Sequence, residues 1–144
     1  MDTKNTKQAE IKKASRFDPI SQDIEQVGKS ILDAAFRVHR NLGPGLLESV
    51  YEACLAHEIR KSGRKTEIQV PLPVVYDNVQ IEAGFRMDLL VEKSVVVEIK
   101  AVETLAPVHE AQLLTYLRLS GIRLGYLINF SVVRLKDGIK RMVV

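Results

Sequence analysis

Six residues, Val95-Val96-Val97-Glu98-Ile99-Lys100, constrain the fold of this chain more than any other feature. Neighbours along a strand point to opposite sides of a sheet, so β-branched residues at successive positions cannot all serve one layer. The segment therefore predicts an interior strand buried on both faces, with packing layers above and below it. Into it are set a carboxylate and an ammonium. Glu98 and Lys100 lie two apart and share a face, while Ile99 points the other way. Leaving either charge buried without a partner is costly, so the pair needs an explanation. Taken alone, a Glu98–Lys100 ion pair near the strand's exposed end explains the doublet as well as a functional site does.

Helical patterns precede this strand. Ser21 is a candidate N-cap, and Ile24, Val27, Ile31, Leu32, Ala35 and Val38 recur at helical spacing as far as Asn41-Leu42-Gly43. Gly43-Pro44-Gly45 favours a tight reversal, and a second helix follows from about Leu46 to Lys61, ended by Gly63. The period then becomes extended over Lys65–Tyr76, Val79–Val91 and Ser94–Ala101, with turns at Asp77-Asn78 and Glu92-Lys93. These three stretches predict an antiparallel meander, and Pro71 and Pro73 put the first strand at an edge or interrupt it. Leu113, Leu114 and Leu117 carry a third helix from Pro107 to Ser120, closed by Gly121. Gly125–Phe130 is a short buried strand, and Ile139–Val144 offers another. Helix, helix, three strands, helix, strand is the order of an α/β sandwich with mixed strand directions.

Met1 to about Phe17 has little apolar content and no sustained stripe, so residues 1–17 are expected to form a flexible basic leader and residues 18–144 a single domain. The net charge of +3 suits a nucleic-acid partner, but the first 20 residues carry +2 of it, so charge alone identifies nothing. No apolar stretch approaches the ~18 residues of a membrane span, and the N-terminus lacks the pattern of a secretory signal. The expected location is the cytoplasm. A lone cysteine, Cys54, excludes an intrachain disulfide and a cysteine-rich zinc or iron–sulfur site. Any metal must be held mainly by oxygen.

Asp88 interrupts an apolar run on the strand expected to pair with Val95–Lys100. With the turn centred near residue 93, position 88 falls opposite 98. Like charges across a ladder repel, and a divalent cation between them would turn that defect into a binding site. On a helical wheel with Leu47 as origin, Glu48 falls inside the apolar arc, and Glu52 falls at its border, where it is expected to be solvated. Glu48 could equally complement the helix dipole. Glu58 also falls inside the arc, but the last turn lets it reach water. Gln112 and Tyr116 lie four apart on one face of the third helix, with His109 on the neighbouring rung. The two could orient a carboxylate, a water or a phosphate; a half-buried core tyrosine and a surface glutamine are the ordinary alternatives. His39 and Tyr51 read as structural residues.

Gly45-Leu46-Leu47-Glu48-Ser49-Val50-Tyr51 resembles the defining motif of the bacterial GxxExxY proteins. The likeness continues through Gly84–Val91, Val97–Glu103 and Pro107–Tyr116, and covers about residues 20–144. It implies membership of the PD-(D/E)XK nuclease superfamily, with a restriction-endonuclease-like core of helix, three-stranded meander, helix and strand, preceded here by an extra N-terminal helix. The implied active-site residues are Glu48, Asp88, Glu98, Lys100, Gln112 and Tyr116. Asp88, Glu98 and the Ile99 carbonyl would hold Mg²⁺ or Mn²⁺, with Glu48 completing the shell directly or through water. The implied activity is hydrolysis of phosphodiester bonds in nucleic acid, DNA before RNA. A non-catalytic nucleic-acid-binding or regulatory module that keeps the fold is the alternative, and self-association of the chain stays open.

Overall fold

The computed structural model of the protein describes residues 18–144. The expected leader, residues 1–17, lies outside the described residues. Helix α1, Gln22–Leu42, starts where the Ser21 hydroxyl accepts the Ile24 N–H at 3.3 Å, and Gly43 at φ 67° ends it. Helix α2 spans Glu48–Lys61 and α3 spans Pro107–Ser120, with Gly121 in the left-handed conformation after it. Seven strands follow in chain order: β1 Thr66–Pro71, β2 Val74–Tyr76, β3 Val79–Ile81, β4 Arg86–Val91, β5 Val95–Lys100, β6 Leu124–Asn129 and β7 Ile139–Val143. A 3₁₀ turn, Leu135–Gly138, precedes β7.

One five-stranded sheet, in the order β1-β4-β5-β6-β7, organises the chain. β5 and β6 run parallel, and every other neighbouring pair is antiparallel. The central strand is β5, and five of its six residues are buried, as its β-branched composition predicts. Leu89, Val91, Val95, Val97 and Ile99 face α1 and α2, where they meet Ile31, Ala35, Leu55 and Ile59. Leu90, Val96 and Leu127 face α3, packing against Leu113, Tyr116 and Leu117. Gly125 lets α3 come this close: a Cβ there would stand 3.0 Å from Leu113 Cδ1 and 3.2 Å from Leu117 Cδ2. The architecture is the mixed α/β sandwich expected, with α1 as the extra N-terminal helix.

The meander is present as β1-β4-β5, but its first two stretches are each split. The chain leaves the main sheet at Leu72-Pro73, where proline supplies no ladder donor, and makes a separate hairpin of β2 and β3. It returns at Arg86 after Gly84, whose φ of 77° suits the bend. β1 is an edge strand, so the prolines mark both an edge and an interruption. Both predicted turns are present. Asp77-Asn78 and Glu92-Lys93 each place two consecutive residues at positive φ, the primed geometry that matches the twist of a hairpin. Among the described residues no helix is long and apolar enough to cross a membrane.

Candidate active site

The β4–β5 ladder pairs Val91 with Val95, Leu90 with Val96 and Leu89 with Val97, and then stops. The next position holds Asp88 and Glu98, the register expected from the turn at residue 93. Here side chains take over the bonding. The Asp88 N–H donates to Glu98 Oε2 at 2.8 Å, and the Ile99 N–H donates to Asp88 Oδ2 at 2.8 Å. β1 gives way at the same level. Its register is the same on both sides, Ile68 opposite Leu89 and Val70 opposite Met87, but Gln69 and Asp88 between them do not pair, and Gln69 sits at φ 53°. Strands on both sides of Asp88 thus part at one point, and polar side chains occupy the gap.

Two more carboxylates reach this point from α2. The Gln69 Nε2 donates to Glu52 Oε2 at 2.7 Å and to Asp88 Oδ1 at 3.2 Å, so one amide bridges two acids. Glu48 Oε2 accepts the Ala101 N–H at 3.3 Å, immediately after Lys100. Glu48 is exposed and Glu52 half-buried, the reverse of the helical-wheel expectation. The wheel gives the face and not the depth: Glu48 shares the face of the buried stripe Tyr51, Leu55, Ala56 and Ile59, but it is the first residue of α2 and lies before that stripe begins, next to the N-cap residue Leu47, which is 71 % exposed. Glu52 falls within the arc of that stripe, between Ile59 and Ala56 on the wheel. Glu58 is half-buried, keeps access to water and accepts from Arg37 Nε at 3.1 Å, a bond that lowers its carboxyl pKa.

Lys100 is half-buried and forms no ion pair among the described residues, so the Glu98–Lys100 pair is not what holds the doublet in the strand. Its charge is felt nonetheless. Burial raises the Asp88 pKa, and the Ile99 N–H bond and the Lys100 ammonium partly offset that rise. Glu98, 3 % exposed, is pushed up to about 8, first by burial and then by the neighbouring Asp88 carboxylate. Glu52 is raised by burial as well, against its bond from Gln69. Two carboxylates with this little solvent bind a proton readily, and a cation would serve them in the same way.

Among the described residues no three acidic, histidine or cysteine side chains converge as a ready-made metal cage. The available donors are the Asp88 and Glu98 carboxylates and neighbouring backbone oxygen. That set fits a hard divalent ion such as Mg²⁺, which uses one or two carboxylates and keeps several waters, and it does not fit zinc.

The partners on α3 come together as expected. The Gln112 Nε2 donates to Tyr116 Oη at 2.8 Å, and Tyr116 is 5 % exposed. Burial, and after it the negative charge of Glu98, raises the phenol pKa. Tyr116 is thus both a core aromatic and a neighbour of the acidic centre in electrostatic terms. His109 stands apart: its Nδ1 accepts the Ala106 N–H at 3.0 Å and so organises the start of α3. His39 Nε2 lies 2.8 Å from the Val132 carbonyl oxygen, tying α1 to the loop after β6. The Tyr51 hydroxyl donates to the Gly43 carbonyl at 2.5 Å and accepts the Leu46 N–H at 3.1 Å, while its ring stacks on Phe130 at 4.6 Å. It holds the reversal between α1 and α2, and with it the approach of Glu48.

Three residues of this neighbourhood were not anticipated from the sequence: Glu52, Gln69 and Asn129. Asn129 is 1 % exposed, accepts the Val102 N–H at 3.1 Å and donates to the Val102 carbonyl at 2.8 Å, fixing the chain just past Lys100. Its signal was a single amide inside the apolar run Tyr126–Phe130. Gln69 gave none, because nothing local marks a glutamine for positive φ.

A mixed sheet with helices on both faces, bearing an acid on one strand and an acid and a lysine on the next, is the architecture of a nuclease-type fold. Residues 25–142 match the family model of the PD-(D/E)XK nuclease superfamily, and the chain belongs to that superfamily. Nucleases of this superfamily typically use divalent metals. No curated protein and no solved structure matches the chain.

Proposed function

We propose that the protein is a divalent-metal-dependent nuclease of the GxxExxY kind that hydrolyses phosphodiester bonds, in DNA before RNA. The observation that supports this reading most is the place where β4 and β5 part, with the buried Glu98 and the half-buried Asp88 carboxylates crossing the gap and beside them a lysine that has no ion pair among the described residues. A structural ion pair has no use for that arrangement. Asp88 and Glu98, with the Ile99 carbonyl beside them, are the proposed ligands of Mg²⁺ or Mn²⁺. Glu48 is proposed to act from the exposed side through water, and Glu52 joins it as a further acid. Bound there, such an ion would neutralise the two acids, polarise the phosphate and favour deprotonation of water.

Lys100 cannot ligate a cation while protonated, and its proposed task is electrostatic. Its ammonium would stabilise the negative charge that grows on the phosphate oxygens as a water oxygen bonds to phosphorus and the ester oxygen departs. Tyr116, oriented by its bond from Gln112, would hold the substrate on the α3 side. Asn129 keeps the backbone after Lys100 from moving during this step. Incubation of the protein with labelled single- and double-stranded DNA and RNA, with and without Mn²⁺, tests the reading. Metal-dependent cleavage of DNA is the expected result. Binding without cleavage under every divalent ion replaces the proposal with a non-catalytic nucleic-acid-binding module.

A further inference from the structure

Beside the acidic centre lies an apolar groove that the chemistry of phosphate hydrolysis does not require. Val74 and Phe85 line it from the side of the β2–β3 hairpin, and Val108, Leu119, Gln112 and Tyr116 from α3. Its volume is about 490 Å³, within the range of small-ligand sites. Phe85 is 42 % exposed, Val108 67 % and Leu119 40 %, a concentration of bare hydrocarbon next to a polar site. The Phe85 ring centroid stands 6.3 Å from that of Tyr116, tilted by 57°, which leaves aromatic surface turned to the groove.

Resting on the nuclease reading, we infer that this groove receives an unstacked nucleobase, so that the substrate of the site is a single strand or a frayed end. Three observations select this occupant. Tyr116 lines the groove and its phenol feels the charges of Glu98 and Asp88, so the groove adjoins the acidic centre. A nucleotide with its phosphate at Asp88 and Glu98 therefore has its base within reach of Phe85. No carboxylate lines the groove, and its polar groups are an amide and two hydroxyls, from Gln112, Thr115 and Tyr116. These can bond a base edge, whereas the rings offer stacking that tolerates any base. An exposed cation stands on its α3 side: Arg118 lies one turn beyond Thr115. It suits a phosphate next to the base. A duplex cannot use the groove without unstacking a base pair, at a cost of a few kcal/mol.

Fluorescence anisotropy of labelled oligothymidylate, and of a duplex of equal length, tests the inference in EDTA, where no metal-dependent cleavage intrudes. Phe85→Ala should weaken single-strand binding about tenfold, the effect of losing one base–aromatic stack. Val108→Asp alters a residue already two-thirds exposed and places a negative charge on the groove wall, so it should weaken single-strand binding with no change in melting temperature. Duplex binding should be unchanged in both. Single-strand affinity equal to wild type in both variants overturns the inference. So does a wild-type dimer in sedimentation that both variants dissociate, because the occupant is then a second copy of the chain. If both variants bind normally while wild type cleaves, the groove assignment fails and the nuclease reading stands. If both lose single-strand binding while wild type cleaves nothing, the groove stands and the nuclease reading fails.

Discussion

The two ends of the β4–β5 hairpin are built from one pair of strands and obey opposite rules. Near the turn, Val91 meets Val95 and Leu89 meets Val97 in a regular ladder, and all four side chains are buried hydrocarbon. One residue further out the ladder stops, and carboxylates bond backbone N–H groups that a neighbouring strand would otherwise satisfy. The first end contributes stability: burying a side chain such as Leu89 stabilises by roughly 1.5–3 kcal/mol. The second end lowers it, because two acids sit close together where water is scarce. On the proposed reading, such a defect at the centre of the sheet is the cost in packing of a site for chemistry.

Substitutions at the two ends should therefore differ in sign as well as size. Leu89→Ala removes buried hydrocarbon at the turn end and should destabilise the protein by about 2–5 kcal/mol in urea unfolding. Glu98→Gln at the other end keeps an acceptor for the Asp88 N–H and removes the charge. The folded-state pKa of Glu98, about 8, lies above its ordinary value of 4.5, so the folded protein holds the extra proton between those limits. Metal-free stability should then fall as pH rises through that window, by at most ~1.4 kcal/mol per pH unit. Glu98→Gln should flatten that slope and be the more stable protein above pH 8; parallel curves for variant and wild type would show that Glu98 is ionised in the fold.

A smaller effect is expected at the motif tyrosine. Tyr51→Phe keeps the stack on Phe130 but loses the two hydrogen bonds that close the reversal before α2, which should cost about 1–2 kcal/mol. If Tyr51 is there only to fill the core, thermal melting of the variant will match wild type. The least effect belongs to the leader. Deleting residues 1–16, which carry a net +3, should leave the melting temperature unchanged and lower nucleic-acid affinity only at low salt. A truncated protein that no longer folds would show that the leader packs.

What could be read in the sequence follows from how local the cause is. The strand Val95–Lys100, the turn at Glu92-Lys93 and therefore the opposition of Asp88 to Glu98 all come from period and turn chemistry, which neighbouring residues decide. Ser21, Gly43 and Gly121 marked the helix ends for the same reason. Glu48 and Glu52 were misread because an amphipathic wheel gives the face of a residue and not its depth along the helix: both share the buried face, but Glu48 opens α2 and is exposed, whereas Glu52 follows Tyr51 and is half-buried. The split of the meander into β1 and β4 with a hairpin between was visible only as Pro71 and Pro73. Gln69 depends on where two strands part, a tertiary fact, and no pattern in its own segment contains it. The nuclease motif residues carried the site further than periodicity did, since Gln112 and Tyr116 are ordinary on a helix until Glu98 is brought near them.

The central claim is that the open end of the hairpin is an electrostatic device for phosphate chemistry and not a relic that merely binds metal. Lys100→Met separates the two, because it removes the ammonium and keeps most of the side chain's volume. The decisive measurement is phosphodiester cleavage by this variant beside wild type, with Mn²⁺ binding followed by calorimetry on the same samples. The account predicts unchanged ion binding and a cleavage rate lower by about a hundredfold or more, the usual effect of losing one charge-stabilising contact in the transition state. Equal cleavage by Lys100→Met and a cleaving wild type would contradict it.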